Sequence, residues 1–148
     1  MIWGWLKTSF PKKKNFFHLK ALVEKHNLNT VCQSASCPNI GECWDAGTLT
    51  FMILGDSCSR ACKFCDVPTG NLIRPNPDEP MEIAEVLAKL NLRYVVITSV
   101  NRDDLKDGGA AHWVKTIEMV RSFCPDLIIE TLIPDFQGDM GLVKNILS

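Results

Sequence analysis

Three apolar runs of strand length alternate with three amphipathic stretches between residues 48 and 148, and that order restricts the fold more than any other feature. The runs are Thr48-Leu49-Thr50-Phe51-Met52-Ile53-Leu54, then Arg93 to Val100 around Tyr94-Val95-Val96-Ile97, then Leu127-Ile128-Ile129-Glu130-Thr131-Leu132-Ile133. Between the first two, a helix is predicted to start near Pro80. Asp78 or Glu79 would cap it, and Ile83, Val86, Leu87 and Leu90 repeat at helical spacing. A second predicted helix carries Trp113, Ile117, Val120 and Cys124 on one face and stops at Pro125, and a third begins with Leu142, Val143, Ile146 and Leu147. Apolar strands alternating with amphipathic helices mean parallel strands joined by right-handed crossovers. The second strand, a continuous apolar run, is expected to be buried on both faces.

The expected fold is therefore α/β, with about three βα units in residues 48–148. A complete eight-fold barrel takes about 250 residues, so the chain would hold about half of one. The unclosed sheet edge, and a last helix still running at Ser148, lead to the expectation that the sequence stops before the domain does.

Residues 1–47 have a different character. Met1 to Pro11 is aromatic-rich and irregular and reads as an arm. Lys12-Lys13-Lys14 reads as a solvated turn rather than a phosphate-binding patch. Asn15 could cap a helix from Phe16 to about His26, with Leu19, Leu22, Val23 and His26 on one face, ended by Asn27 and Asn29. From Thr30 to Gly47 no periodicity is visible, and a loop of that length in a compact domain needs something to hold it.

Cysteine supplies the candidate. Six of the seven cysteines fall in two triplets, Cys32, Cys37 and Cys43 in that loop and Cys58, Cys62 and Cys65 just after the first strand. No secretory signal and no run near the roughly 20 apolar residues of a membrane span is present, so a cytoplasmic, thiol-reducing location is expected. Clustered cysteines there read as metal ligands before disulfides. A net charge of −1 gives no global field for nucleic acid or a membrane surface. The second triplet has three and then two residues between its cysteines. It sits at the carboxyl end of a parallel strand, the end where barrel active sites are built. Three thiolates on a four-iron cluster leave one iron open to a small molecule. A zinc site with a fourth ligand elsewhere is the alternative, since thiolates suit both metals.

The spacing C-x3-C-x2-C with Phe64 before the last cysteine resembles the signature of the radical S-adenosylmethionine superfamily. Within that superfamily the chain resembles lipoyl synthase. The likeness lies in Thr30-Val31-Cys32 through Cys43-Trp44, in Thr50 to Asp56 leading into the second triplet, in Val95 to Leu105, in Asp107-Gly108-Gly109-Ala110, and in Glu130 to Phe136. It runs from about Trp5 onward. The resemblance implies a partial (β/α) barrel of the radical type, with residues 1–47 as arm, helix and auxiliary-cluster loop and 48–148 as the amino-terminal half of the barrel. It implies two 4Fe-4S clusters, one on Cys58, Cys62 and Cys65 that chelates and reductively cleaves S-adenosylmethionine, the other on Cys32, Cys37 and Cys43 as sulfur donor. The radical would abstract hydrogen from C6 and C8 of an octanoyl chain on a lysine of a lipoyl carrier domain. That carrier would be a 2-oxoacid dehydrogenase E2 or a glycine cleavage H protein, and ferredoxin or flavodoxin would supply electrons. One departure stands out. The family's fourth auxiliary ligand is a serine in an Arg-Ser-Ser motif, and here Arg121-Ser122 is followed by Phe123. The chain is therefore expected to be a fragment inactive by itself.

Other residues are weaker candidates. Thr98 and Ser99 close the second strand and read as cofactor contacts or as strand-end hydrogen bonds; Phe64 joins them as a cofactor contact. Glu130, a carboxylate in an apolar strand, is costly to bury unless paired or facing a site, and would contact the cofactor if it points inward. Arg102, Asp103 and Asp104 read as a salt-linked turn or as something more. Cys124 reads as a small buried hydrophobe. The competing functional classes are an iron–sulfur electron carrier, another radical enzyme with an auxiliary cluster, and a zinc-structured binding module.

Overall fold

The computed structural model describes residues 14–90 and 92–147. Met1–Pro11 and the Lys12-Lys13 pair, read above as an arm and a turn, lie outside them. Three strands, β1 (Thr50–Ile53), β2 (Tyr94–Ser99) and β3 (Ile128–Leu132), form one sheet in the order β1-β2-β3, every pair parallel. The crossovers are α4 (Glu79–Leu90) and α5 (Ala110–Phe123), and α6 (Met140–Leu147) follows β3. The βα alternation is the one the sequence predicts.

The two faces of the sheet differ. Phe51 and Ile53 on β1, and Val95 and Ile97 on β2, are buried against the helix layer, where Ile83, Val86, Leu87, Trp113 and Val120 complete the core. Fully burying such a side chain contributes about 1.5–3 kcal/mol. The opposite face carries Thr50, Val96 and Glu130 in one register row, and Met52, Thr98 and Leu132 in the next. Ile128, Leu132 and Tyr94 are exposed there. Burial along β2 thus alternates, with Val95 and Ile97 buried and Tyr94 exposed, and the expectation of a strand buried on both faces is corrected.

The amino-terminal segment joins the same core through Leu19, Val23, Leu28 and Trp44. Helix α1 (Lys14–Lys25) starts one residue before the expected cap. Asn15 is already helical, and its amide donates to the Asp45 carbonyl at 3.2 Å while Phe16 N–H donates to the Asp45 carboxylate at 3.3 Å. An acceptor from elsewhere in the chain thus serves the helix start. The stretch expected to be a loop held by its cysteines contains two short helices, α2 (Val31–Ser34) and α3 (Ile40–Asp45). Thr30 starts α2 by accepting from Gln33 N–H and donating its hydroxyl to the Gln33 amide oxygen at 2.8 Å. Trp44, fully buried and 5.5 Å from the Phe16 ring, docks α3 on α1. Asn29 O accepts from Met52 N–H, and Thr30 bridges Phe51 antiparallel, so this segment covers the outer edge of β1.

Candidate functional site

All three loops at the carboxyl ends of the strands carry chemistry-bearing residues, and the exit of β1 fixes the first. Leu54 has a left-handed backbone (φ 72°), unusual for a branched residue, and is buried. Its N–H donates to the Glu79 carboxylate at 2.9 Å, and its carbonyl accepts from the Arg102 guanidinium at 2.9 Å. Both of these groups are themselves buried. Glu79 is bonded a second time by His112 Nε2 at 2.7 Å, and Arg102 makes a two-bond pair with Asp104 at 2.9 and 2.8 Å. That pair holds the Asp104 carboxyl below its ordinary range. Strain of this kind persists only where neighbours over-determine it, and here it turns the chain out of β1 into the cysteine loop.

Cys58 opens that loop. Its backbone bonds Pro68 O at 2.9 Å and Gly70 N at 3.2 Å. Its Sγ accepts N–H bonds from Asn101 at 3.2 Å and Arg60 at 3.5 Å. Two backbone N–H donors aimed at one sulfur hold it in place where the chain enters the loop. Cys62 and Cys65 are exposed and share a turn, Cys65 N–H donating to Cys62 O at 3.0 Å; Phe64 between them is 94% exposed.

In the first triplet, Cys37 N–H donates to Cys32 O at 3.1 Å, and Cys43 lies within α3. Burial raises the Cys43 thiol above its ordinary range, and Cys32, Cys37 and Glu42 add to the shift. Among the described residues no three His, Cys, Asp or Glu side chains are drawn to metal-binding distance. The donor chemistry nonetheless fits a thiolate-held iron–sulfur cluster: each loop offers three sulfurs, Cys62 and Cys65 are exposed, and half-buried Cys58 already carries N–H···S bonds.

The remaining candidates separate by face. The Thr98 hydroxyl donates to Leu132 O at 3.0 Å on the open face of the sheet, whereas Ser99 on the helix side accepts from Trp113 Nε1 at 3.2 Å. Glu130 is exposed rather than buried, and takes the Tyr94 hydroxyl; the cost expected for a buried carboxylate does not arise, because its sheet face is open. Cys124 is half-buried at the end of α5, and burial raises its thiol.

Sequence reading missed Arg60. Its guanidinium makes two bonds to Asp103, from Nε and Nη2 at 2.7 Å each, and two to Asp135, from Nη1 at 2.8 Å and Nη2 at 3.0 Å. Asp103 also accepts the Ser59 hydroxyl at 2.7 Å and the Gln137 amide at 3.2 Å. The Arg60 bond, first, and then the Ser59 bond hold the Asp103 carboxyl well below the carboxylate range. A cleft of about 300 Å³ lies beside this group, lined by Lys106, Phe136, Gln137, Asp139 and Leu142 among others.

No family model matches the chain. It is 52% identical over 148 residues to the lipoyl synthase of Thermus thermophilus, covering 98% of this chain and 45% of that protein. It is 52% identical over 143 residues to that of Treponema denticola and 50% identical over 143 to that of Bacteroides fragilis, covering 97% of this chain in both cases and 49% and 50% of those proteins. The chain spans about half the length of the curated relatives it matches.

Proposed function

Because the chain belongs to the lipoyl synthase family, matching the amino-terminal portion of its members, we propose that its six clustered cysteines hold two 4Fe-4S clusters used in radical sulfur insertion. In this reading Cys58, Cys62 and Cys65 bind the cluster that leaves one iron for S-adenosylmethionine, and Cys32, Cys37 and Cys43 bind the auxiliary one. When bound, the pair supplies reductive cleavage of the sulfonium, hydrogen abstraction at C6 and C8 of an octanoyl-lysine, and two sulfur atoms. The carrier is the lipoyl domain of an E2 subunit or an H protein, with ferredoxin or flavodoxin as electron source.

One observation carries this reading: the second triplet sits in the loop after β1 of a parallel sheet, with Cys58 Sγ facing the N–H groups of Arg60 and Asn101. That is the end of a parallel sheet where ligands bind. The chain's own residues have definable work there. Glu79 and Arg102 turn the strand into the loop. Asn101 N–H steadies the Cys58 sulfur. The open sheet face, with Thr98 and Glu130 upon it, becomes the interior wall of a partial barrel of the radical type against which cofactor and acyl chain lie. Phe64 and Ser99 complete the set of cofactor contacts, Ser99 through the strand end it holds on Trp113. Residues 1–47 form the auxiliary-cluster segment and 48–148 the barrel portion.

Within these residues the auxiliary triplet has no Arg-Ser-Ser serine to complete it. The reading therefore has the 148 residues cleave S-adenosylmethionine without completing lipoyl formation. The test is anaerobic reconstitution of the chain with iron and sulfide, then assay with dithionite. Expected are methionine and 5′-deoxyadenosine, abolished by Cys62→Ala, and no lipoyl product from an octanoylated carrier domain. Bound zinc without acid-labile sulfide would overturn the reading in favour of a zinc module.

A further inference from the structure

An arginine between two cluster ligands invites reading as a receptor for a ligand's carboxylate. The geometry of Arg60 argues otherwise. Nε and Nη2 engage Asp103, and Nη1 and Nη2 engage Asp135, so both edges of the fork are already filled by carboxylates. Paired bidentate contacts of this kind fix direction as well as distance. The carboxylates come from different places, Asp103 in the loop after β2 and Asp135 in the loop after β3, so one side chain ties three strand ends together.

Each partner is itself held. Asp103 N–H donates to the Ser59 hydroxyl at 3.2 Å while its carboxylate accepts that hydroxyl in return, and Ser59 N–H donates to Asn101 O at 3.0 Å. Asp135 accepts the N–H of Gln137 at 3.0 Å. Phe136 and Gln137 are consecutive left-handed residues (φ 44° and 53°), a conformation non-glycine residues seldom adopt. Gln137 then turns back to donate to Asp103. The strained turn after β3, the turn after β2 and the cysteine loop thus share one closed ring of hydrogen bonds, and Arg60 is the member that lies between Cys58 and Cys62.

We propose that Arg60 is a positioning residue for the iron–sulfur cluster of Cys58, Cys62 and Cys65, seated on Asp103 and Asp135 so that the sheet, through β2 and β3, sets the spacing of the ligands. The proposal rests on the function argued above. Holding the Arg60 side chain also holds its N–H against Cys58 Sγ and fixes the direction in which the chain leaves for Cys62.

The test reconstitutes the 148-residue chain and follows the part of the reduced-cluster electron paramagnetic resonance signal that responds to S-adenosylmethionine, during titration with EDTA. Arg60→Ala is expected to hold that iron about 10–100-fold less tightly, the usual loss for an outer-shell partner. Arg60→Lys, which cannot make two forked contacts, falls between. Asp103→Ala added to Arg60→Ala is expected to cost less than Asp103→Ala costs in the wild type, because the Arg60 contact is already gone and only the Ser59 and Gln137 bonds remain to be lost. The melting temperature of the iron-free chain, measured alongside, is expected to fall only slightly for Arg60→Ala, because these pairs are partly exposed, whereas a merely structural role would lower stability and iron affinity together. Should Arg60→Ala fail to fold, Asp135→Asn keeps the Asp103 seat and is expected to give a smaller loss of the same kind. Iron held as tightly by Arg60→Ala as by wild type would overturn the inference alone. So would an intact cluster that needs more S-adenosylmethionine for the same spectral change, since that makes Arg60 a ligand contact. A wild-type chain that forms no S-adenosylmethionine-responsive cluster would instead overturn the proposed function beneath it.

Discussion

Gly109→Ala tests how firmly the exit of β1 is held. Gly109 precedes α5 with a left-handed backbone, φ 88° and ψ 14°. A Cβ there would stand 2.5 Å from Leu54 Cδ1 and 3.1 Å from Cδ2. Leu54 cannot yield by moving its backbone, because its N–H and carbonyl are held by buried Glu79 and Arg102. Two costs add: about 1–2 kcal/mol for an L-residue in the left-handed region, and about 1–3 kcal/mol for overpacking a filled core. Gly47→Ala is the control. Gly47 is also left-handed, φ 77°, but its added Cβ would meet only Leu92 Cδ2 at 3.5 Å, an ordinary contact. The entropy that alanine removes from the unfolded chain cancels between the two variants. Urea unfolding of the iron-free chain, followed by far-ultraviolet circular dichroism, should place Gly109→Ala about 1–3 kcal/mol below Gly47→Ala. Its total loss of about 2–5 kcal/mol corresponds to about 4–20 °C in melting temperature for a domain of this size. Equal stability of the two variants would refute the claim that Leu54 is immobilised.

Three further outcomes are expected. Arg102→Met removes the donor to Leu54 O and the partner of Asp104, and should cost the iron-free chain about 1–3 kcal/mol in urea unfolding, the usual penalty for a buried group left without its bond. Asp107→Ala removes the acceptor of Gly109 N–H at 3.0 Å and Ala111 N–H at 2.9 Å at the start of α5, a loss of about 0.5–2 kcal/mol at neutral pH. Desolvation alone would raise the Asp107 carboxyl, and these N–H bonds outweigh it, so its folded pKa is lowered. Its stabilisation is therefore complete above the ordinary aspartate range near 3.9 and fades as pH falls below it, so the gap to the variant should narrow in acid. Replacing Cys32, Cys37 and Cys43 together by alanine should reduce reconstituted iron from about eight to about four per chain; a fall to zero would mean the two sites do not load independently.

The βα order was legible because it rests on local periodicity: the runs around Thr50–Ile53, Tyr94–Ser99 and Ile128–Leu132 became the strands, and the stripes Ile83-Val86-Leu87 and Trp113-Val120 met the sheet. The candidate ligands were legible for a similar reason, since cysteine spacing is local. What escaped was set by partners distant in sequence. Asp45 serves the start of α1 across about thirty residues, and Arg60 meets Asp103 and Asp135 across 43 and 75. The helices α2 and α3 were hidden by Pro38 and Gly41, although Thr30-x-x-Gln33 is a local start signal that a stricter reading would have used. The exposure of Glu130 and its pairing with Tyr94 were not legible, because apolar neighbours on a strand do not reveal whether its second face is covered.

In the proposed function the loop of Cys58, Cys62 and Cys65 carries a cluster with one iron open to S-adenosylmethionine. Electron paramagnetic resonance of the dithionite-reduced, reconstituted chain, recorded with and without S-adenosylmethionine, addresses this directly. The expected result is a four-iron signal that changes on addition of S-adenosylmethionine and loses that response in Cys58→Ala, Cys62→Ala and Cys65→Ala, while the Cys32, Cys37 and Cys43 variants keep it. A signal indifferent to S-adenosylmethionine, or one whose response survives loss of Cys62, would contradict it.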